Sequence, residues 1–449
     1  MKNIPQELID SLINFSFFDE KLFKETQQKN IDTSIRLNAK KKYFLPEKLE
    51  QVPWCETGFY LNESIVFAAD PFWHAGNYYV QEASSMFLEQ ALIQHLNLKN
   101  DLKILDLCAS PGGKSTLISN LISENSLLIS NEINYSRLDA LKENVIKWGN
   151  ASNWISNNSS KDFSRIQNYF DCILIDAPCS GSGLFRKDEE AILHWSCENV
   201  DMCTERQKEI IEEIYPSLKE NGLLVYSTCS FSKKENEDIV DYILQNFELE
   251  TCKIDLKKEW GIIETQSDKS IGYGYRFFPE YLKGEGFFLA VFKNRKKDTT
   301  QFKSTPTKKS TFKMNDELKS FVDTEKLFFF EKSANTFFIN KHHVEDLYFL
   351  DSKIRLIKKG ILLGEIVNNK LIPHHELAMY DQNFYDKKIE LSLEQAKEYL
   401  KKEPFVFPQH EKGWYLITYQ NAILGWVKHL GNRVNNYYPG NYRIFNKNI

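Results

Sequence analysis

The chain has 449 residues, and at about 150 residues per domain that length implies two to four domains. Hydrophobic residues make up 42% and charged residues 27%, a globular balance that excludes wholesale disorder. Lys and Arg number 57 against 62 Asp and Glu, a net charge of −5; with no global basic field, any affinity for nucleic acid must be local. No apolar run approaches the roughly 20 residues of a membrane span. The stretch Met1–Asp10 is polar and carries acids, unlike a signal peptide. Eight cysteines fall far below the usage of a disulfide scaffold and point to a reducing cytoplasm. No C-x2-C pair occurs, the tightest spacing being Cys197 to Cys203, so a structural metal is not expected.

In chain order, residues 1–95 mix helical patterns with an aromatic, turn-rich centre, Pro53-Trp54-Cys55-Glu56-Thr57-Gly58-Phe59. From about 96 to 293, short β-branched or leucine runs alternate with helical segments. This is the pattern of βαβ units around a parallel sheet, an α/β fold. The spacing predicts strands at Lys103–Leu107, Leu127–Asn131, Asn153–Ser156, Cys172–Ile175, Leu223–Ser227 and Phe287–Phe292, with helices clearest at Arg137–Trp148 and Asp201–Lys219. Residues 294–313 read as a basic linker: from Lys293 to Lys313 there are eight Lys or Arg and one acid, Asp298. Such a run is either a solvated surface or a phosphate contact. Residues 314–449 read as a separate α+β region. Its end, from Trp414, carries Lys428, Arg433, Arg443 and Lys447 and no acid, interleaved with Tyr415, Tyr419, Tyr437, Tyr438 and Tyr442. Cations for phosphates and flat rings for bases suit an RNA surface, although a small β-domain core would use many of the same tyrosines.

The strongest local signal is Ile104-Leu105-Asp106-Leu107-Cys108-Ala109-Ser110-Pro111-Gly112-Gly113-Lys114-Ser115-Thr116. A buried strand enters a small-residue loop and then a helix, which brings a ligand against unpaired N–H groups at the helix start. A phosphate-cradling P-loop would need glycine five positions before Gly113, where Cys108 stands. Glu132, at the tip of the next strand, is placed to accept hydrogen bonds from ribose hydroxyls. The pattern favours an adenosine-bearing cofactor. Because G-x-G-x-x-G is absent, S-adenosylmethionine suits it better than a dinucleotide.

Two further strands end in Asp176-Ala177-Pro178-Cys179-Ser180-Gly181-Ser182-Gly183 and Ser227-Thr228-Cys229-Ser230. Ligands of open parallel sheets sit at the carboxyl ends of the strands, so Cys179 and Cys229 are expected to border one cleft. A thiolate there is a soft nucleophile able to add to an electron-poor ring. Cys55, Cys172, Cys197, Cys203 and Cys252 lack such a setting.

These three motifs resemble those of the Sun-type (NSUN-like) RNA cytosine carbon-5 methyltransferases. Pro53-Trp54-Cys55, Tyr79-Val80-Gln81-Glu82-Ala83-Ser84-Ser85-Met86, Phe185-Arg186-Lys187-Asp188 and Leu424-Gly425-Trp426 are similar to the bacterial RsmF/YebU branch. The resemblance implies a class I (Rossmann-like) S-adenosylmethionine-dependent methyltransferase core, an N-terminal RNA-binding extension, and a C-terminal region ending in a PUA-like module. It implies methyl transfer to carbon 5 of a cytidine in 16S rRNA. Cofactor contacts would fall on Cys108, Ala109, Ser110, Pro111, Gly112, Gly113, Lys114, Glu132 and Asp176. Relatives carry another acid after the third strand, where Ser159 takes its place in Asn157-Asn158-Ser159-Ser160. The implied catalytic residues are Cys229, as the nucleophile on carbon 6, Asp176 on the N3/N4 edge of the base, and Cys179 for loss of the carbon-5 proton. A tRNA cytosine methyltransferase and a non-catalytic ribosome assembly factor are the rival readings; retention of both cysteines and the Gly-Gly-Lys loop argues against the second.

Overall fold

The computed structural model describes residues 4–41, 48–63, 65–297, 312, 316–404, 407 and 410–445. Its centre is a mixed sheet built from strands β1 (Lys103–Asp106), β2 (Leu127–Asn131), β3 (Asn153–Ser156), β4 (Phe170–Asp176), β5 (Leu218–Thr228), β6 (Ile263–Gln266), β7 (Tyr273–Phe277), β8 (Phe287–Asn294) and β9 (Leu356–Lys358), with the short strand Leu249–Thr251 paired antiparallel to β8 off this path. Their spatial order is β6-β7-β8-β5-β4-β1-β2-β3-β9. Strands β1 to β5 run parallel, while β8, β7, β6 and β9 are added antiparallel. The order reverses between β2 and β4 on either side of β1, and the connections leave β1 and β4 in opposite directions. A crevice therefore opens at their carboxyl ends.

Alternation along each strand sorts the two faces. Leu105, Ile129, Ile173, Ile175, Leu224 and Tyr226 pack with Ile210, Ile211 and Ile214 of helix α3 (Cys197–Ile214) and with Ile239, Val240 and Ile243 of α4 (Glu237–Asn246). Ile104, Leu128, Leu174, Leu223, Val225 and Leu289 face Leu117 and Ile118 of α1 (Gly113–Leu121). Helix α2 (Leu138–Trp148) ends at Gly149, whose φ of +87° is the left-handed C-terminal turn that glycine adopts without penalty.

The predicted strands and helices form close to their expected bounds, except that α3 runs from Cys197 to Ile214 rather than from Asp201 to Lys219, and β5 begins at Leu218 rather than Leu223. Pro216 lies in a single 3-10 turn, Tyr215–Ser217, that leads directly into β5.

The regions that flank the central sheet pack directly against it. One is the region after 314. Its Leu356–Lys358 segment pairs with β3, covering an edge that would otherwise expose unpaired backbone groups, and Leu347, Leu350 and Ile354 join the central core. At the other end, Trp54, Met86 and Phe87 share a cluster with Tyr275 and Phe277, so packing crosses the 95/96 boundary. Arg36, on the N-terminal strand Ser34–Leu37, is fully buried. It donates to Gln81 Oε1 (2.7 Å), Gly113 O (3.2 Å) and Thr116 Oγ1 (2.6 Å), clamping the start of α1.

The basic connector lies largely outside the described residues; within them, Arg295 is bound to Glu250 at 2.6 Å. Lys447 lies outside them as well. The C-terminal tyrosines follow the core reading rather than the stacking one. Tyr415 and Tyr438 are buried with Ile417, Leu424 and Val427, and Tyr419 and Tyr442 pack against that cluster, leaving Tyr437 as the exposed ring. No described helix is long and apolar enough to cross a membrane.

Candidate active site

The loop after β1 is held open by backbone contacts. Ala109 N–H donates to Asn131 O (2.8 Å), and the Arg137 guanidinium donates to Ser110 O (2.7 Å). Gly112 caps α1 with a φ of +113°, a conformation that L side chains rarely adopt. The loop and helix start line a cavity of about 310 Å³ with Tyr79, Gln81, Glu82, Ser85, Asp176, Cys229 and Glu285. Cys108, Ala109, Ser110, Pro111, Gly113 and Lys114 all reach its wall.

Lys114 Nζ lies 2.7 Å from Asp176 Oδ2, and Asp176 Oδ1 accepts from Ser227 Oγ at 2.7 Å. Burial pulls the Lys114 pKa down, but the carboxylates of Asp176 and Asp106 outweigh it and the net shift is upward. Asp106, completely buried, accepts from Ser115 Oγ (2.6 Å), and burial pushes its pKa up to about 7.

Glu132 stands at the tip of β2 but outside that cavity wall, 3% exposed. Its Oε1 accepts Asn134 N–H (2.8 Å), whereas Oε2 is buried without a hydrogen bond and has Arg137 Nη1 at 3.5 Å. An orphaned carboxylate oxygen at a strand tip fits a ligand hydroxyl, because a buried acceptor without a donor is costly. On this observation the residues fit an adenosine-bearing cofactor. Ser159 is otherwise engaged: it donates to Asp162 Oδ2 (2.8 Å) and forms with it a reciprocal cap on the helix Ser160–Phe163. A Ser-x-x-Asp spacing was the available signal for that role.

The two cysteine loops meet. Asp176 pairs with Ser227 across β4 and β5, and just beyond them Cys179 Sγ and Cys229 Sγ lie 3.2 Å apart as free thiols. The hydrogen bond to Cys229 and burial together hold the Cys179 thiol well above its ordinary pKa. Gly183 lies so close to Gly286 O and Cys229 O that a Cβ would stand 2.3 and 2.8 Å from them, so only glycine fits there.

Beneath both loops sits a residue that the sequence reading missed, Glu235. Its Oε1 accepts Ser180 N–H (2.8 Å) and its Oε2 accepts Ser180 Oγ (2.6 Å) and Ser230 Oγ (2.5 Å). One buried carboxylate thus ties the loop after β4 to the loop after β5. Glu82 makes a similar tie, accepting the N–H groups of Ser84 (2.8 Å), Ser85 (2.9 Å) and Glu285 (2.8 Å).

Comparison with known proteins follows the same outline. Residues 93–293 match the family described as 16S rRNA methyltransferase RsmB/F, residues 4–83 the N-terminal domain of 16S rRNA methyltransferase RsmF, and residues 386–444 the methyltransferase RsmF PUA domain. Among curated relatives, ribosomal RNA small subunit methyltransferase F of Aeromonas salmonicida is 31% identical over 412 residues, covering 87% of this chain and 85% of that protein. Its counterpart in Shewanella piezotolerans is 30% identical over 446 residues, covering 93% and 92%. A crystal structure of a methyltransferase homologue from Pyrococcus horikoshii aligns with a TM-score of 0.53 at 25% identity, over 65% of this chain and all of that one. NSun6 of the same organism aligns at 0.54 and 18% identity, over 66% and 100%, and so shares the fold. With three family matches in order and this identity across most of both chains, the chain belongs to the RsmF family of ribosomal RNA small subunit methyltransferases.

Proposed function

We propose that the protein transfers a methyl group from S-adenosylmethionine to carbon 5 of a cytidine in 16S rRNA within the small ribosomal subunit, through a covalent Cys229 adduct. The observation that carries this reading is the pair of free thiols 3.2 Å apart at the carboxyl ends of adjacent parallel strands, with Cys229 opening on the cavity that holds Lys114 and Asp176. Carbon 5 of cytosine is a weak nucleophile. Addition of the Cys229 thiolate to carbon 6 forms a C–S bond and moves electron density to carbon 5. Asp176, fixed by Lys114 and Ser227, keeps lone pairs to accept from the N4 amino group, and from N3 once that nitrogen takes up a proton as negative charge develops on the ring. S-adenosylmethionine, held by the Cys108–Lys114 loop and Glu132, supplies when bound the methyl that carbon 5 accepts. Cys179 then takes the carbon-5 proton, and the C–S bond breaks to release Cys229.

The test is tritium transfer from labelled S-adenosylmethionine to naked 16S rRNA, assembled small subunits and tRNA. Label in 16S rRNA, naked or assembled, is the expected result; label in tRNA alone would overturn the substrate, and none in any RNA would overturn the reaction.

Glu132→Ala is expected to weaken S-adenosylmethionine binding roughly 10- to 150-fold, since hydrogen bonds to a charged acceptor are worth about 1.5–3 kcal/mol. Calorimetry with a Glu132→Gln control, which keeps the acceptor toward Asn134 N–H, separates ligand contact from loop support. Unchanged affinity in a folded Ala variant would remove Glu132 from the cofactor site.

A further inference from the structure

A second cavity, of about 350 Å³, opens beside the first and shares Tyr79, Val80 and Pro111 with it. Five rings line it: Phe67, Trp73, Tyr78, Tyr79 and Trp148. Its volume lies in the range of pockets that take small ligands. Two of the rings are already polarised by cations, Lys147 Nζ at 3.6 Å from the centroid of Trp73 and the Arg36 guanidinium at 4.7 Å from that of Trp148. Lys147 is itself committed to Glu143 at 2.5 Å, so the lining offers aromatic surface rather than a cluster of phosphate contacts. Ile65 and Val66, immediately before Phe67, are 42% and 59% exposed, which leaves the approach apolar as well.

We propose that this cavity receives an unstacked base of the substrate RNA, one that neighbours the target cytidine along the strand. The inference rests on the methyltransferase reading above. Once the target base is drawn out to Cys229, the adjoining bases lose a stacking partner, and aromatic rings replace that stacking without regard to sequence. The shared wall supplies the path: a strand with its target in the first cavity passes Tyr79, Val80 and Pro111 to reach the second. The role of the N-terminal region is then to hold the strand open, with the cofactor bound elsewhere.

The test uses the full chain and the RNA that accepts tritium in the assay above, together with an oligonucleotide centred on the labelled cytidine and carrying fluorescent 2-aminopurine on either flank. Wild-type protein should quench the probe on one flank. Phe67→Ala and Trp73→Ala should each lose that quenching and bind RNA about 5- to 150-fold more weakly, with S-adenosylmethionine affinity unchanged by calorimetry. Trp73→Phe, which keeps a ring, should retain most of both. Quenching or RNA affinity that survives both alanine changes overturns the inference while leaving the methyltransferase reading intact. Loss of cofactor affinity with RNA affinity unchanged also overturns it, because the rings would then only support the Pro111 loop. Absence of methyl transfer by the wild type to every RNA would instead sink the underlying reading, and this inference with it.

Discussion

Cys229→Ser should abolish methyl transfer and leave no covalent RNA complex, while Cys179→Ser should form that complex and fail to resolve it. A hydroxyl is a far poorer nucleophile near neutral pH than a thiol with accessible thiolate, so the first variant cannot open the reaction. In the second, Cys229 still adds to carbon 6, but the thiol that takes the carbon-5 proton is gone. The geometry makes the two roles separable: Cys229 lines the cavity, whereas Cys179 stands behind it at 3.2 Å, with burial and its neighbour holding its proton on. A group that keeps its proton at neutral pH is poorly suited to open the attack. Once Cys229 is bonded to the substrate, the contact that raised the Cys179 pKa most is gone, the Cys179 proton is lost more readily, and the thiolate so formed takes the carbon-5 proton. Denaturing electrophoresis of each variant with its RNA should show a shifted, nuclease-sensitive band for Cys179→Ser alone. A band from Cys229→Ser and none from Cys179→Ser would reverse the assignment, and full activity in both would end the covalent mechanism.

What the sequence made legible followed from short-range physics. Strands β1 to β5 carry short apolar runs such as Ile104-Leu105, Leu127-Leu128-Ile129 and Ile173-Leu174-Ile175 because both faces of a parallel sheet are buried, and the loop from Cys108 to Lys114 carries its small residues in one continuous stretch. What stayed hidden depends on contacts distant in sequence. Leu356–Lys358 is three residues long, too short for any period to show, and becomes a strand only because the edge of β3 is open to it. Arg36 in a short strand carries no mark of burial, since arginine is mostly found at surfaces; its partners Gly113 and Thr116 are 77 and 80 residues away. The tyrosines after Trp414 were ambiguous in kind. A ring that packs and a ring that stacks on a base look alike until the strand's inward face is known, and Tyr415 and Tyr438 prove to face inward.

The site was legible to the same degree. Both cysteines, Lys114 and Asp176 fall where strand ends predict, because the carboxyl edge of a parallel sheet is a property of topology. Gln81, Glu82 and Ser85 enter the cavity wall from outside that topology, carried in by the N-terminal region. Glu235 lies in Lys233-Lys234-Glu235-Asn236-Glu237, a charge run that reads as solvated surface. Yet it is fully buried, and its partner Ser180 is 55 residues back along the chain.

A tie of this kind makes Glu235 a residue whose loss is felt in both cysteine loops. Glu235→Ala removes the acceptor for Ser180 N–H, Ser180 Oγ and Ser230 Oγ at once; the two hydroxyls lie 3.3 Å apart and can turn to each other, but the buried Ser180 N–H is left without its acceptor and the tie between the two cysteine loops is cut. At about 1–3 kcal/mol for a buried group left unpaired, a loss of that order in stability is expected, with methyl transfer lost alongside it. Glu235→Gln keeps the shape and one acceptor oxygen, and its amide can donate to hydroxyls that rotate to accept, so this variant should fold. It also removes a negative charge that raises the Cys179 thiol pKa. With that charge gone, thiolate at Cys179 forms at lower pH, and resolution of the covalent complex should extend to lower pH than in the wild type. Thermal denaturation of both variants, with a pH profile of complex decay for Glu235→Gln, separates support from electrostatics. A merely structural carboxylate would give a Gln variant whose profile does not move. A profile displaced to higher pH would mean that Glu235 assists proton removal rather than restraining it, contrary to the charge placed behind Cys179.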